Sequence, residues 1–193
     1  MNYDLLSELL LAGVTFGICR REFRSRAALA LGNAVIGCAA LLGALIFAGV
    51  AAADGPHRLL SLLAACAALP LIAAGLRWQD GALTRRMPAA LRFFLIACAL
   101  CLLMVEVFQL AWWAEAIPAL SAALLLITAV QSRNVFAVFG ALLLIACFGL
   151  SLAQLTFYPL DADQQLHILM SSSLFLLAAS HPAGSRPALN PDQ

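Results

Sequence analysis

Asp163, His167 and Ser171 recur at four-residue intervals near the C-terminal end of the sequence and hold the residue types of a hydrolytic triad. On a helix that spacing sets them along one stripe. A stripe is not a triad, however. Helical side chains lean toward the N-terminus, so His167 can reach Asp163 while Ser171 is expected to bond the carbonyl of residue 167. A nucleophile must sit within hydrogen-bond reach of its base, and this one would not. Binding chemistry remains. A histidine that changes charge near neutrality beside a carboxylate can take a polar or cationic group, and His167 with Asp163 could offer mixed nitrogen and oxygen ligands to zinc.

These residues open a stretch, "DADQQLHILMSSSLFLLAASH", that is otherwise apolar, as is the whole chain. Of 193 residues, 64% are hydrophobic and 11% charged, and the mean hydropathy is +0.97. A soluble domain is about half apolar and a quarter charged, so lipid is the expected solvent. Hydrophobic runs close to the roughly 20 residues needed to span a bilayer recur along the sequence. They predict an all-α, polytopic bundle of seven transmembrane helices over 4–19, 27–53, 57–76, 88–112, 114–130, 135–156 and 163–180. Residues 1–181 form a single transmembrane domain and 182–193 a short cytoplasmic tail. "MNYDLLSELL" carries acids in place of a basic signal-peptide start, so the first helix is expected to be retained.

All eleven basic residues are arginine. Without lysine there is no Schiff base, and retinal attachment is excluded. Arg20, Arg21, Arg24, Arg26, Arg77, Arg85, Arg86, Arg133 and Arg186 fall on one side of the predicted bundle, with Arg92 able to snorkel there and only Arg58 opposite. The positive-inside rule then places the N-terminus outside and the C-terminus in the cytoplasm of a multi-pass cell-membrane protein, in a bacterium the inner membrane. Six cysteines lie in apolar helix or at its end and suggest packing, including the Cys98–Cys101 pair, whose mid-helix position does not suit redox chemistry.

Ionisable groups inside a bilayer are costly and tend to face a partner or a cavity. With the predicted topology most fall at one depth, in the outer half: Glu8, Glu106, Gln109, Gln154, Asp163 and His167. Their expected meeting place is a polar pocket near the outer face that binds a ligand or lipid headgroup. His57 and His167 are the only histidines on that side, which admits a haem pair as a less favoured use. Membrane lipid is the expected partner, and nothing points to nucleic acid.

Three segments, "YDLLSELLLAGV", "AALLGALIFAGV" and "QQLHILMSSSLFLL", resemble bacterial seven-helix proteins of unknown function that are similar to the alkaline ceramidase and adiponectin-receptor-like superfamily. That resemblance implies seven helices and, by analogy with characterised members, a histidine-bound zinc that hydrolyses lipid amides, with His167 as the residue in the matching place. The chain departs from the pattern at Phe47, where a histidine is expected late in the second helix, and in carrying one histidine on the seventh helix where the family has an HxxxH pair. A metal-dependent membrane hydrolase acting on a lipid is therefore the alternative function, and transport of an ion or small solute a third.

Overall fold

The computed structural model describes residues 3–153, 155–157 and 160–180. Among these the chain is helical and without strands. Its long helices are α1 (Tyr3–Glu22), α2 (Ala27–Phe47), α3 (Ala51–Arg77), α4 (Met87–Val107), α5 (Trp113–Gln131), α6 (Val135–Leu152) and α7 (Ala162–Ala179), with one further turn at Ala82–Arg85. Helices α2 to α6 are each long and apolar enough to cross a membrane, which fits an integral membrane protein. Helices α1 and α7, of 20 and 18 residues, carry the acids, glutamines and histidine in their first turns.

Several helices end earlier than the hydrophobic runs suggested, and each stop has a local cause. Helix α2 stops at Phe47, short of Ala53. Gly49 takes φ 93°, and the Val50 amide returns to the Leu45 carbonyl at 2.9 Å, a closing bond that needs glycine's freedom. Helix α3 can then begin at Ala51, ahead of the expected start at His57. Helix α4 ends at Val107, short of Trp112, in a widened π turn where the Phe108 amide bonds the Leu103 carbonyl at 3.0 Å. Gln109 at φ 55° then turns the chain out of the helix. Helix α6 ends at Leu152 because the Gln165 side chain accepts from the Phe157 amide and donates to the Leu155 carbonyl, holding that stretch out of the helix. Within α3 a π turn over Ala64–Ala68 precedes Pro70. It gives the ring room where a regular turn would set it against the carbonyl four residues back.

Helix starts also follow from side chains. Asn134 caps α6, its Oδ1 accepting from the Phe136 and Ala137 amides, and Asp161 caps α7, accepting from the Gln164 amide at 2.8 Å. Helix α1 lies between α2 and α7. Helix α7 packs on α6, α6 on α5, α5 on α3 and α3 on α2, so the six close a ring. Helix α4 lies outside it, against α2 and α3. Burial agrees: the most apolar stretch of α2 is 56% buried and that of α4 only 17%. Leu95, Ile96 and Val107 of α4 accordingly face outward.

Between helices in lipid no hydrophobic force acts, so close packing and hydrogen bonds must hold them. Gly32 lies against Ile72 and the Ala68 carbonyl. Gly140 lies against α7, and the Ser173 hydroxyl donates to its carbonyl at 2.7 Å. Small residues at Gly32, Ile36, Ala40 and Gly43 on α2 and at Gly140, Cys147 and Ser151 on α6 are expected from the sequence to let backbones approach closely; all are buried except Ser151, which is half-buried. Short connections make sequence neighbours antiparallel, which brings the starts of α1, α3 and α7 to one end. The described arginines other than Arg58 gather at the other, where Glu22 is fully buried between Arg21 and Arg26, each nitrogen–oxygen pair 2.7 Å apart. There Arg21 also donates to the Ala178 carbonyl and Asn134 to that of Ser180, fastening the end of α7.

Candidate functional site

Glu8, His57 and His167 each enter the bundle one to two turns past the start of their helix, roughly 8 Å deep at 1.5 Å of rise per residue. Common depth and common end bring them together around a cavity of about 220 Å³. Its walls are mainly apolar, from Leu11, Ile36, Phe148 and Met170, with Ser61 adding a hydroxyl. Gly43, near the end of α2, makes the room. A Cβ there would overlap the Glu8 carboxylate and stand 3.0 Å from His57 Cε1.

The hydrogen bonds bear on which nitrogen of each ring carries a proton. His57 Nδ1 lies 2.9 Å from the Ala39 carbonyl oxygen, which can only accept, so Nδ1 bears hydrogen and donates. The Ser7 hydroxyl donates to the Asp4 carbonyl at 2.9 Å. With its hydrogen on the Asp4 carbonyl, the Ser7 oxygen accepts from His167 Nδ1, 3.3 Å away. His167 Nε2 is left facing Glu8 Oε1 at 3.5 Å. Glu8 is 2% exposed, and its Oε2 has no partner among the described residues. Only Asn33 Oδ1 shares that condition there, and its amide nitrogen bonds the Leu29 carbonyl on its own helix.

The rest of the polar opening of α7 is structural. Gln164 Nε2 donates to Asp4 Oδ1 and to Asp161 Oδ2, both at 2.7 Å, latching α7 to α1. Ser171 donates to the His167 carbonyl at 2.6 Å, as the spacing predicted, and so takes no part in a triad. Asp163 is exposed, one turn before His167.

Of the six residues expected to converge, then, Glu8 and His167 meet and Asp163 stands at the rim of the same helix. Glu106 and Gln109 do not join them. Both are exposed at the unwound end of α4, which lies outside the ring, and Gln109 donates to the Glu106 carbonyl. Gln154 lies outside the described residues. Ser7, His57 and Gly43 belong to the site and were not among those six. His57 had a readable signal, being the second histidine on the same side, whereas Gly43 read only as a packing residue.

Zinc at His167 and Asp163 needs at least one more protein ligand. Among the described residues no three histidine, cysteine, aspartate or glutamate side chains converge closely enough to hold a metal ion, so this arrangement does not fit the histidine-bound zinc of the resembled superfamily. All six cysteines are unpaired. No family model matches the chain, and neither a curated protein nor a solved structure is significantly similar to it.

Proposed function

We propose that this is a seven-span membrane protein, N-terminus outside and C-terminus cytoplasmic, that binds a polar lipid headgroup in the chamber of Ser7, Glu8, His57 and His167. One observation carries the reading: a carboxylate buried to 2% exposure keeps an oxygen without a partner beside two imidazoles and a cavity. A buried polar group left unpaired costs about 1–3 kcal/mol, more if charged, and a ligand that pairs with it recovers that cost. Apolar walls beside the polar end suit a molecule with a headgroup and a hydrocarbon part. Arginines at the opposite end support the orientation, with the chamber on the outer side.

The hydrolase reading would require a third metal ligand beside His167 and a carboxylate. Transport would require polar groups through the far half of the bundle, and there Thr15 and Asn33 bond carbonyls of their own helices. The test is lipid extraction and elemental analysis of protein purified in mild detergent without chelator. Wild type should carry about one tightly held lipid per chain, and Ser61→Phe, which fills the cavity, should lose it. Metal should stay well below one equivalent in wild type and in His167→Ala alike. Lipid retention unchanged by Ser61→Phe would sink the binding reading, and stoichiometric metal lost in His167→Ala would restore the hydrolase.

A further inference from the structure

Among the described residues no hydrogen bond reaches Glu8 Oε2, and Oε1 faces only the His167 ring. With hydrogen on Nδ1 of both rings, as the Ala39 carbonyl requires of His57 and the Ser7–Asp4 bond favours for His167, each Nε2 is left with a lone pair, and Glu8 offers two carboxylate oxygens, one without a partner among the described residues. His167 Nε2 and Glu8 Oε1 confront each other at 3.5 Å as two acceptors. Unless a hydrogen lies between them, that contact is repulsive. We propose that the hydrogen comes from a ligand and that the chamber takes a primary ammonium group, held between Glu8 and the Nε2 atoms of His167 and His57. This rests on the reading of the chamber as a binding site and adds the chemical class of what it binds.

An ammonium group has three N–H donors and one positive charge, matching three acceptors of which one is anionic. Its reach suits the spacing. Hydrogen bonds of about 2.7–3.2 Å let one nitrogen serve both Glu8 Oε1 and His167 Nε2, which stand 3.5 Å apart, whereas no three His, Cys, Asp or Glu side chains among the described residues converge on a metal-sized point. A quaternary ammonium fits less well, having no N–H, and recognition of such groups relies on a cage of Trp, Tyr or Phe, whereas among the described residues lining this cavity Phe148 alone is of that kind. Leu11, Ile36 and Met170 supply apolar surface for the methylenes that follow the nitrogen. The ammonium could come from a free amine or from an ethanolamine headgroup, and the chemistry recognised is the same.

The experiment has two arms. In the first, the protein is exchanged into nanodiscs of phosphatidylethanolamine and phosphatidylcholine in equal amounts, and retained lipid is counted by native mass spectrometry. Wild type should keep phosphatidylethanolamine at least ten-fold over phosphatidylcholine. Glu8→Gln, nearly the same shape but uncharged, should fall to parity, as should His57→Phe, which removes one acceptor. Each variant is first required to keep the wild-type gel-filtration profile. The second arm adds ethanolamine hydrochloride to protein in detergent and follows thermal unfolding. A rise of several degrees, absent in Glu8→Gln, identifies a free amine as sufficient. Headgroup preference without that rise identifies the lipid, and either result upholds the ammonium site. Lipid held without preference and displaced by Ser61→Phe would overturn the ammonium and leave the binding chamber standing. No retained lipid and no ethanolamine response would overturn both, leaving a bare proton between Glu8 and His167.

Discussion

Gly43 and Glu8 form the tightest pairing in the chamber, because the carboxylate occupies the space where any other residue would hold its Cβ. Gly43→Ala should therefore push Glu8 against His57 and destabilise the protein by about 1–3 kcal/mol, the usual cost of overpacking. The cost should shrink if the obstructing group is removed, so Gly43→Ala combined with Glu8→Ala should be less destabilising than the two single changes added together. Thermal unfolding in one detergent measures all three variants. Additive effects would mean that the carboxylate does not lie against Gly43. At this scale the sequence was partly legible. Glu8 and His167 announced themselves as ionisable residues at one depth. His57 was visible as a histidine on the same side but separated along the chain from Glu8 by all of α2 and from His167 by α4, α5 and α6, and only the packing of the ring makes it a neighbour. The requirement for glycine at 43 depends on a side chain from another helix, which spacing along α2 cannot reveal.

The helices themselves were legible from apolar runs broken by arginine, glycine and proline, and their ends were not. Helix α2 stops where Gly49 can take a positive φ, and α6 stops where a glutamine from α7 captures its continuing backbone. The first cause is local and the second is tertiary. The same contrast separates two ion pairs at the arginine end. Glu22 has no exposure and joins Arg21 and Arg26 in the connection from α1 to α2, whereas Asp80 and Arg85 are largely exposed in the connection from α3 to α4. Breaking a buried pair strands a charge and costs roughly 3–5 kcal/mol, against 0–1 for the median surface pair. Glu22→Gln should accordingly lower the unfolding temperature by many degrees and loosen the α1–α2 hairpin, visible as faster hydrogen exchange near Arg26. Asp80→Asn should change neither measurably. Equal effects of the two would show that Glu22 is solvated and that its arginines serve only orientation.

For the whole molecule, charge distribution and chamber position make one linked statement. Chain direction alternates from each long helix to the next in sequence, so the end holding Glu8, His57 and His167 is opposite the end holding Arg21, Arg26, Arg77, Arg85, Arg86 and Arg133. If arginines are retained on the cytoplasmic side, the chamber belongs to the outer half of the membrane, and a lipid reaching it comes from the outer leaflet. In the positive-inside reading the orientation rests on side-chain charge, and Arg77, Arg85, Arg86 and Arg133 are all exposed, Arg85 pairing among the described residues only with the exposed Asp80. Topology and stability should thus be separable. A phosphatase active only outside should be silent when fused after Gln193 and active when inserted beside Asp54, and a cytoplasmic fluorescent reporter should give the reverse pattern. Replacing Arg77, Arg85, Arg86 and Arg133 by glutamine should erode that asymmetry, producing mixed signals from both fusions, while detergent-purified protein keeps its unfolding temperature within a few degrees. An active phosphatase after Gln193 in the unaltered chain would place the arginines outside, and the chamber would then face the cytoplasmic leaflet.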